Sequence, residues 1–571
     1  MTGGRTIVRT LEAEGVRYIF GNPGTFEIEL LDALVGRPSI EYLLGLHEQA
    51  VVSIADGYAR VTGRPAFVNL HAMVGTANGI GPLFVASKDR TPLVVASGVH
   101  GTRHLFRDGQ GEALDVVGSV RQFTKHSVLV PRADRIPEEI VRAFKIAATS
   151  PTGPTFLAIP RDFFTAEVAG SIPDPVGFRM PARVPPDLDD VERAAGLLLD
   201  AERPILVAGG EVYGDGASAL LVELAELLAL PVFSEHFPAF LALPSTHPHY
   251  LGLYAPGHPV ATQATLVLGV GCRMFVEPDY PKGAMLPPGA AVIHVHRDPW
   301  EVARVYPTTI GMVADSRSAL AALLEAVRRH MSPGAAEAVR RRRGAIAEAR
   351  AAREAQRRVQ REATPDAAPI KPWRVVAELS ALLDPGALVV NQAVTMGNYV
   401  FDLCDFQEAG GHAMTASTYM GWATGATIGM KLGQPGRTVV GCMGDGGFVC
   451  GAQALWTAAR YRVPAVFLVF DNQRYMAIKS FLYDRGGEAR RAGVYPATEL
   501  LDPPVDLVRI AEGFGVEARR VVRPDEIRPA LERALGSSGP VVLDVVIDPE
   551  ELGAHRAAGS DPPSVSPGGR R

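Results

Sequence analysis

Cysteine is scarce in this sequence, with four residues in 571: Cys272, Cys404, Cys442 and Cys450. No two of them form a CxxC pair, and none has the spacing of a zinc finger. This pattern argues against a disulfide framework and against a structural zinc site as the basis of the fold. We therefore expect reduced thiols and a cytoplasmic protein.

The sequence also lacks long apolar runs and a strong excess of either charge. No apolar run reaches the roughly 20 residues of a membrane-spanning helix, and the first residues predict an amphipathic helix, not an apolar signal segment. The formal net charge is −5, and the four arginines at 340–343 have glutamates nearby. We therefore expect neither a nucleic acid nor a membrane as partner.

The chain does have enough apolar material, 47% of its residues, for several cores. Strand-like runs alternate with helix-like patterns, which predicts an α/β protein of three doubly wound domains with mostly parallel sheets. The predicted blocks are an N-terminal domain at 1–170, a middle domain at 186–330, a solvated linker helix at 334–369 and a C-terminal domain at 370–550, followed by a disordered tail at 551–571. The first and third blocks look architecturally alike.

The most informative motif is Gly444-Asp445-Gly446-Gly447, with Asp471-Asn472 further along the chain. Each group follows a strand-like run, and a helix-like segment at 452–461 lies between them. Because parallel strands end at the same edge of a sheet, Asp445 and Asn472 are expected to lie close together. A carboxylate and an amide oxygen beside glycines indicate a Mg²⁺–diphosphate site. The plain alternative is a tight turn with Asn472 as a cap.

Three segments in the N-terminal block add to this pattern. Glu48 stands where a strand gives way to an apolar helix, although a carboxylate there is often only a partner of the helix dipole. His71 ends a strand and precedes a Gly-rich turn, a position typical of active-site residues in α/β proteins. Gly21-Asn22-Pro23-Gly24-Thr25 follows the first strand and is equally compatible with an ordinary loop.

Taken together, these residues resemble the thiamine-diphosphate-dependent 2-oxoacid decarboxylase and carboligase family over nearly the whole chain. The resemblance implies an N-terminal domain that binds the pyrimidine ring of the cofactor, a middle domain, and a C-terminal domain that binds the diphosphate. Within the family, Gly21-Asn22-Pro23-Gly24, Asn69-Leu70-His71 and the segment at 454–459 resemble benzoylformate decarboxylase. Thr124-Lys125-His126 is more similar to acetolactate synthase.

The resemblance implies a set of residue roles. Thiamine diphosphate and Mg²⁺ would be the cofactors, with Glu48 on the aminopyrimidine and Met420 as the apolar wedge that keeps the cofactor bent. Catalysis would involve Glu48, His71 and Thr25. The metal would be held by Asp445, Asn472 and the carbonyl of Arg474, the diphosphate by Gly444, Asp445, Gly446, Gly447 and Asn472, and the substrate by Thr25, Phe26, His71, Glu277, Ala477 and Phe481.

The sequence departs from benzoylformate decarboxylase at the second active-site histidine, where it has Pro278, and at Phe26, which replaces a polar residue. Because proline cannot transfer a proton, either Glu277 substitutes or the later protonation differs. The expected function is non-oxidative decarboxylation of an aryl or branched 2-oxoacid to an aldehyde and CO₂. The expected assembly is a homotetramer, with a homodimer as the minimum. The alternatives are an acetolactate-synthase-like carboligase, a flavin-dependent oxidase, disfavoured because no flavin motif is evident, and an inactive cofactor-binding paralogue.

Overall fold

The computed structural model of the chain describes residues 1–169, 171–180, 183–276, 283–364 and 366–553. Within them the chain forms three sheets of six strands each. The paired strands of all three sheets run parallel, as in β1–β3, β7–β10 and β15–β16, and helices flank the sheets. The predicted α/β class with three mostly parallel sheets is confirmed.

The N-terminal sheet has the strand order β2-β1-β3-β4-β6-β5. Its strands β1–β6 span Tyr18–Gly21, Glu41–Leu44, Ala66–His71, Leu93–Val99, His126–Leu129 and Thr155–Pro160. Helices α1–α7 span Gly3–Ala13, Ile28–Ala33, Glu48–Thr62, Ala72–Lys88, Val116–Val120, Ile136–Ala148 and Arg161–Thr165. The central strands β3 and β4 are buried along almost their whole length, which explains their continuous apolar sequence.

The middle sheet has the order β12-β11-β10-β7-β8-β9. Its strands β7–β12 span Pro204–Ala208, Val232–Ser234, Tyr250–Leu253, Leu266–Val270, Ala291–His296 and Ile310–Val313. Helices α8–α12 span Leu188–Asp200, Glu211–Gly214, Ser218–Leu228, Pro259–Thr262 and Ser316–His330. Short 3₁₀ helices lie at Arg121–Phe123, Ala133–Arg135 and Pro175–Phe178.

The helix α13, Pro333–Glu362, follows the middle domain. The sequence predicts a solvated linker helix, and most of α13 is not buried; two of its arginines, however, are buried and hydrogen-bond to carbonyl groups in the flanking domains. Arg342 donates to the carbonyl of Leu228 at 3.1 Å, and Arg357 donates to that of Asp402 at 2.7 Å. The charged helix thereby connects the middle and C-terminal domains.

The C-terminal sheet has the order β14-β13-β15-β16-β18-β17. Its strands β13–β18 span Leu388–Gln392, His412–Ala413, Val439–Gly444, Val466–Asp471, Glu517–Val521 and Val541–Val546. Helices α14–α22 span Pro372–Leu382, Gly397–Leu403, Trp422–Gly433, Asp445–Gly451, Ala454–Arg460, Met476–Arg485, Glu488–Ala492, Leu507–Gly513 and Pro524–Leu535. The predicted βαβ unit is present, with an additional short helix, α17, that begins at Asp445.

The N-terminal and C-terminal domains meet where α3 packs on α16. A Cβ added at Gly57 would lie 2.2 Å from the carbonyl oxygen of Ala426, and one added at Gly429 would lie 1.9 Å from that of Ile54. The two helix backbones therefore come closer than side chains would allow. This contact fixes Glu48, the first residue of α3, relative to the C-terminal domain.

Candidate active site

The C-terminal sheet brings the two predicted metal-binding side chains together. Gly444 of β15 pairs with Phe470 of β16, so both strands end at one edge. The backbone N–H of Arg474 lies 3.2 Å from Asp445 Oδ2 and 3.0 Å from Asn472 Oδ1. Two oxygens of the type that Mg²⁺ prefers thus converge on one point, as the sequence spacing predicts.

This edge is crowded with buried carboxylates. Burial raises the pKa of Asp445, and burial together with the neighbouring Asp445 raises the pKa of Asp471 to about 6. The pKa of Asp544 rises to about 6 for the same reasons, burial first and then Asp471. Arg520 Nε donates to Asp544 Oδ2 at 2.8 Å. A bound cation would offset the cost of keeping these negative charges out of water.

The space around the glycine motif fits a bound phosphate group. A Cβ at Gly444 or at Gly447 would meet no atom of the described residues within 4 Å, whereas one at Gly446 would lie 2.5 Å from the Tyr475 ring and 3.3 Å from Met420 Cε. Met420 therefore lies beside the motif. The carbonyl of Arg474 accepts a hydrogen bond from Met476 N at 2.9 Å and keeps a second lone pair for a metal.

The N-terminal sheet holds Glu48 in a network of amides. Glu48 is buried at the start of α3. Its Oε1 accepts from Asn22 Nδ2 at 3.1 Å and its Oε2 accepts from Asn78 Nδ2 at 3.0 Å. Gly75 leaves room for the carboxylate, because a Cβ there would lie 3.1 Å from Glu48 Oε1. All three segments identified in the sequence thus meet at this residue or at His71.

His71 ends β3 and is paired with a fully buried acid, Glu27. Its Nδ1–H donates to Glu27 Oε2 at 2.9 Å, and this hydrogen bond raises the pKa of His71. The backbone N–H groups of Gly24 and Gly98 also donate to Glu27, at 3.0 and 2.9 Å. Gly24 is required here, because a Cβ would lie 2.1 Å from the His71 ring. The pair therefore favours the cationic form of the imidazole.

Aromatic rings continue from His71 along the same edge. Phe26 lies 4.9 Å from the ring of His71 and 4.9 Å from that of His100, and His100 stacks on His104 at 4.8 Å. Phe26 is buried, so its main contact with the site is through His71. Thr25 is exposed beside it.

The remaining substrate-binding predictions concern α19 and the middle domain. Ala477 is half-buried in the first turn of α19, and Phe481, one turn later, is 69% exposed. Phe481 is thus available to contact a ligand but contributes little to the core. Glu277 lies outside the described residues.

The sequence reasoning missed the partners that hold the two N-terminal site residues. Asn22 and Asn78 lie in the segments identified around Glu48 and His71, and Glu27 follows Phe26 directly. A fully buried acid cannot be recognised without the fold, because its partners His71 and Gly98 lie far along the chain. One of the two amides had a signal in the sequence, since Asn78 lies inside α4, and asparagine is disfavoured in a helix interior.

Two features are absent from the described part of the chain. No group of three or more histidine, cysteine, aspartate or glutamate side chains is placed to hold a metal ion there. The predicted magnesium set differs in kind, because it combines one carboxylate with an amide and a backbone carbonyl. In the same part of the chain, no helix has the length and apolarity needed to cross a bilayer.

Comparison with known proteins places this architecture. Three family models match: the N-terminal TPP binding domain of thiamine pyrophosphate enzymes at residues 1–119, their central domain at 191–323 and their C-terminal TPP binding domain at 395–545. TPP, thiamine pyrophosphate, is the same molecule as thiamine diphosphate.

The relatives include both kinds of enzyme that the sequence resembles. Benzoylformate decarboxylase of Pseudomonas aeruginosa is 32% identical over 94% of this chain and 97% of that protein. A probable acetolactate synthase large subunit of Methanocaldococcus jannaschii is 30% identical over 100% of this chain and 94% of its own. The structure of a 4-hydroxybenzoylformate decarboxylase from Rhodococcus jostii, 28% identical, matches 96% of this chain and 99% of that one with a TM-score of 0.83. The chain belongs to the thiamine pyrophosphate enzyme family.

Proposed function

We propose that this protein is a lyase that decarboxylates an aryl or branched 2-oxoacid to an aldehyde and CO₂, with thiamine diphosphate and Mg²⁺. The observation that carries the proposal is the His71–Glu27 pair, with its 2.9 Å hydrogen bond at the end of β3. A cationic imidazole at this edge is suited to bind a substrate carboxylate and then to supply a proton to the product. The relatives named benzoylformate decarboxylase support this choice.

The residues present fit the cofactor. Asp445, Asn472 and the Arg474 carbonyl would hold Mg²⁺, and the open space beside Gly444 and Gly447 would receive the diphosphate. Met420 would contact the thiazolium ring. When bound, thiamine diphosphate supplies the electron sink that a 2-oxoacid needs to lose CO₂.

Glu48 would exchange a proton with the aminopyrimidine ring. Its carboxylate is buried and is oriented by the amides of Asn22 and Asn78. Both amides can donate to the charged carboxylate, and each oxygen keeps a lone pair for a further donor. The side chain is therefore positioned before a ligand arrives, which favours rapid proton transfer.

Assembly is part of this proposal. The family resemblance implies that Glu48 of one subunit and Asp445 of another would lie at the same cofactor, so we propose a homodimer as the minimum unit and a homotetramer as the expected one. Apolar side chains stand exposed on both domains, including Val74 at 62% and Val394 at 57%. Such residues are suited to burial between subunits.

The second candidate is carboligation, in which a second 2-oxoacid replaces the proton as electrophile. The residue that favours it is Pro278, since the side chain at this position cannot donate a proton. The relative named as a probable acetolactate synthase supports the same alternative.

The test is a panel of benzoylformate, phenylpyruvate, pyruvate and 2-oxobutyrate, incubated with protein, thiamine diphosphate and Mg²⁺. CO₂, aldehyde and hydroxyketone are quantified for each acid. Aldehyde as the main product supports the decarboxylase, and a 2-hydroxyketone or acetohydroxy acid as the main product contradicts it. Absence of turnover with every acid, despite cofactor binding, would support an inactive paralogue.

A further inference from the structure

The N-terminal domain contains an apolar cavity of about 290 Å³ beside the candidate active site. Its wall is formed by the start of α4, the end of β4, the segment from 105 to 117 and the edge strand β5. Representative apolar wall residues are Met73, Val99, Leu105, Val116, Val128 and Leu129. No role is assigned to this cavity by the cofactor chemistry described above.

The acidic residues of the wall are already used to fold the segment above the cavity. Glu112 accepts hydrogen bonds from the backbone N–H groups of Phe106 and Gly109, at 2.5 and 2.8 Å. Asp115 caps α5 by accepting from Gly118 N at 2.7 Å. Because both carboxylates have backbone partners, the cavity presents mainly hydrocarbon to a ligand.

The cavity lies at the same edge of the sheet as His71. In the sheet register, His71 of β3 is paired with Gly98 of β4. The residues that follow each partner, Ala72 and Met73 at the start of α4 and Val99 and His100 at the end of β4, all line the cavity. A molecule bound to His71 can therefore extend an apolar group directly into this space.

The rim of the cavity is also apolar. Leu114 is 94% exposed and Phe106 is 76% exposed, although both line the cavity. Large exposed apolar side chains next to an apolar cavity are typical of a ligand-binding mouth.

We propose that this cavity binds the apolar side chain of the 2-oxoacid, and that it selects aryl and other bulky apolar acids over pyruvate. This inference rests on the proposed function, since it assigns a position to that substrate. An apolar cavity of about 150 Å³ is large enough to hold benzene, so 290 Å³ holds an aryl ring with a substituent or a short linker. A methyl group would leave most of the wall without contact. The selectivity for the substrate side chain therefore resides in the N-terminal domain and not at Phe481 on α19.

The test fills the cavity. Val116→Phe adds an aromatic ring to a half-buried wall residue, and Val35→Phe is the matched control, because Val35 is 81% exposed on the same domain and does not line the cavity. We expect Val116→Phe to lower kcat/KM for benzoylformate or phenylpyruvate about tenfold or more. The values for pyruvate and 2-oxobutyrate should change less than about threefold. Val35→Phe should match the parent.

An equal loss with all four acids, or an unchanged preference, would overturn the assignment. Should Val116→Phe fail to fold, as judged by circular dichroism, Leu129→Ala serves instead. It enlarges the cavity and should shift preference further towards the bulkier acids, and an unchanged preference again contradicts the proposal.

A failure of the proposed function is recognised separately. If the parent turns over no 2-oxoacid, saturable binding of benzoate to the holoprotein is measured by NMR line broadening. Binding that is weakened by Val116→Phe and retained in Val35→Phe supports the cavity as an apolar acid site without decarboxylation. Absence of benzoate binding to the parent overturns the cavity assignment as well.

Discussion

The N-terminal and C-terminal sheets have the same strand order and carry different chemistry at the same edge. Numbered within each domain, both read 2-1-3-4-6-5. His71, at the end of the third strand of one, therefore corresponds to Gly444, at the end of the third strand of the other. Likewise α3, which Glu48 begins, corresponds to α16, and these two equivalent helices pack on each other.

The difference lies in how each edge compensates its buried charge. At the N-terminal edge, protein groups do so: two amides hold Glu48, and His71 together with two backbone N–H groups holds Glu27. At the C-terminal edge, Arg520 donates to Asp544 Oδ2, but Asp471 Oδ2 and Asp544 Oδ1 are buried without a hydrogen-bond partner among the described residues.

A shared fold therefore determines where ligands bind but not what they are. At the N-terminal edge, the protein compensates the buried charges, so this edge is suited to orient reacting groups and to transfer protons. The C-terminal edge has excess negative charge and is suited to bind a cation. Substitutions that exchange or remove these properties test the comparison.

The largest effect is expected at Glu48. Glu48→Gln keeps the size of the side chain and loses its ability to exchange a proton, so turnover of the preferred 2-oxoacid should fall by about 10²- to 10⁴-fold. The Mg²⁺ concentration needed for half-maximal activity should stay within about twofold of the parent's, because the metal edge is untouched. Glu41→Gln, at an exposed position on β2, is the control. Unaltered turnover in Glu48→Gln would remove the catalytic half of the comparison.

The next largest effect is expected at Asp445. Asp445→Asn removes the one carboxylate of the proposed metal set, and the Mg²⁺ requirement should rise on the order of 100-fold, since even changes around metal ligands cost about 10- to 100-fold in affinity. Activity should recover in part at saturating Mg²⁺. Titration of activity and of cofactor-dependent fluorescence with Mg²⁺ measures both. An unchanged requirement would mean that the two edges do not divide the work as described.

Glu27 tests whether the N-terminal pair serves proton chemistry. The hydrogen bond from His71 raises the pKa of that histidine, so its cationic form persists to higher pH. In Glu27→Gln the pKa should fall, and the alkaline limb of the kcat/KM profile should move to lower pH. The rate at the optimum should drop on the order of tenfold. If the rate falls but the alkaline limb of the kcat/KM profile stays at the parent's pH, Glu27 has only a structural role. Glu41→Gln again serves as the control.

Much of the fold was predictable because strands that are buried on both faces appear in the sequence as continuous apolar runs. The strands that end at His71, Gly444 and Asp471 were all identified, and parallel pairing then brings Asp445 to Asn472. Partnerships between distant segments were not predictable. No local sequence pattern marks Glu27 as a site residue. Its carboxylate accepts a hydrogen bond from Gly98 N, and only the fold brings these two residues together. The burial of Arg342 and Arg357 on α13 was not predictable for the same reason, because a charged helix is ordinarily solvated, as most of α13 is.

Close packing of the two equivalent helices gives a smaller effect, on stability. Gly429→Ala places a Cβ against the Ile54 carbonyl, and we expect a loss of about 1–3 kcal/mol in the free energy of unfolding. Gly344→Ala is the matched control on α13, where an added Cβ meets no atom within 4 Å. There, a gain of about 0.5–1 kcal/mol is expected. Chemical denaturation of both variants measures these changes in the free energy of unfolding. Equal changes in the two variants would mean that α3 and α16 are not in close contact.

The smallest effect concerns the excess charge of the C-terminal edge. The pKa of Asp471 rises in the folded protein from its ordinary value of 3.8 to about 6, so the folded state binds the proton more tightly than the unfolded state. The resulting stabilisation is fully present below pH 3.8 and is lost as the pH rises through about 6. Asp471→Asn has no such loss, and its Oδ1 can still accept from Gln473 N.

Without Mg²⁺ and cofactor, Asp471→Asn should therefore be more stable than the parent at pH 8 by on the order of 1 kcal/mol. At about pH 3.5 the difference should nearly vanish, since the parent's carboxyl is then largely protonated in the folded and the unfolded state alike. Thermal unfolding at the two pH values measures this, with Asp366→Asn as an exposed control. Added Mg²⁺ and thiamine diphosphate should reduce the advantage at pH 8, because a bound cation compensates the charge that the substitution removes. A pH-independent difference would mean that the C-terminal edge carries no excess charge for a cation to offset.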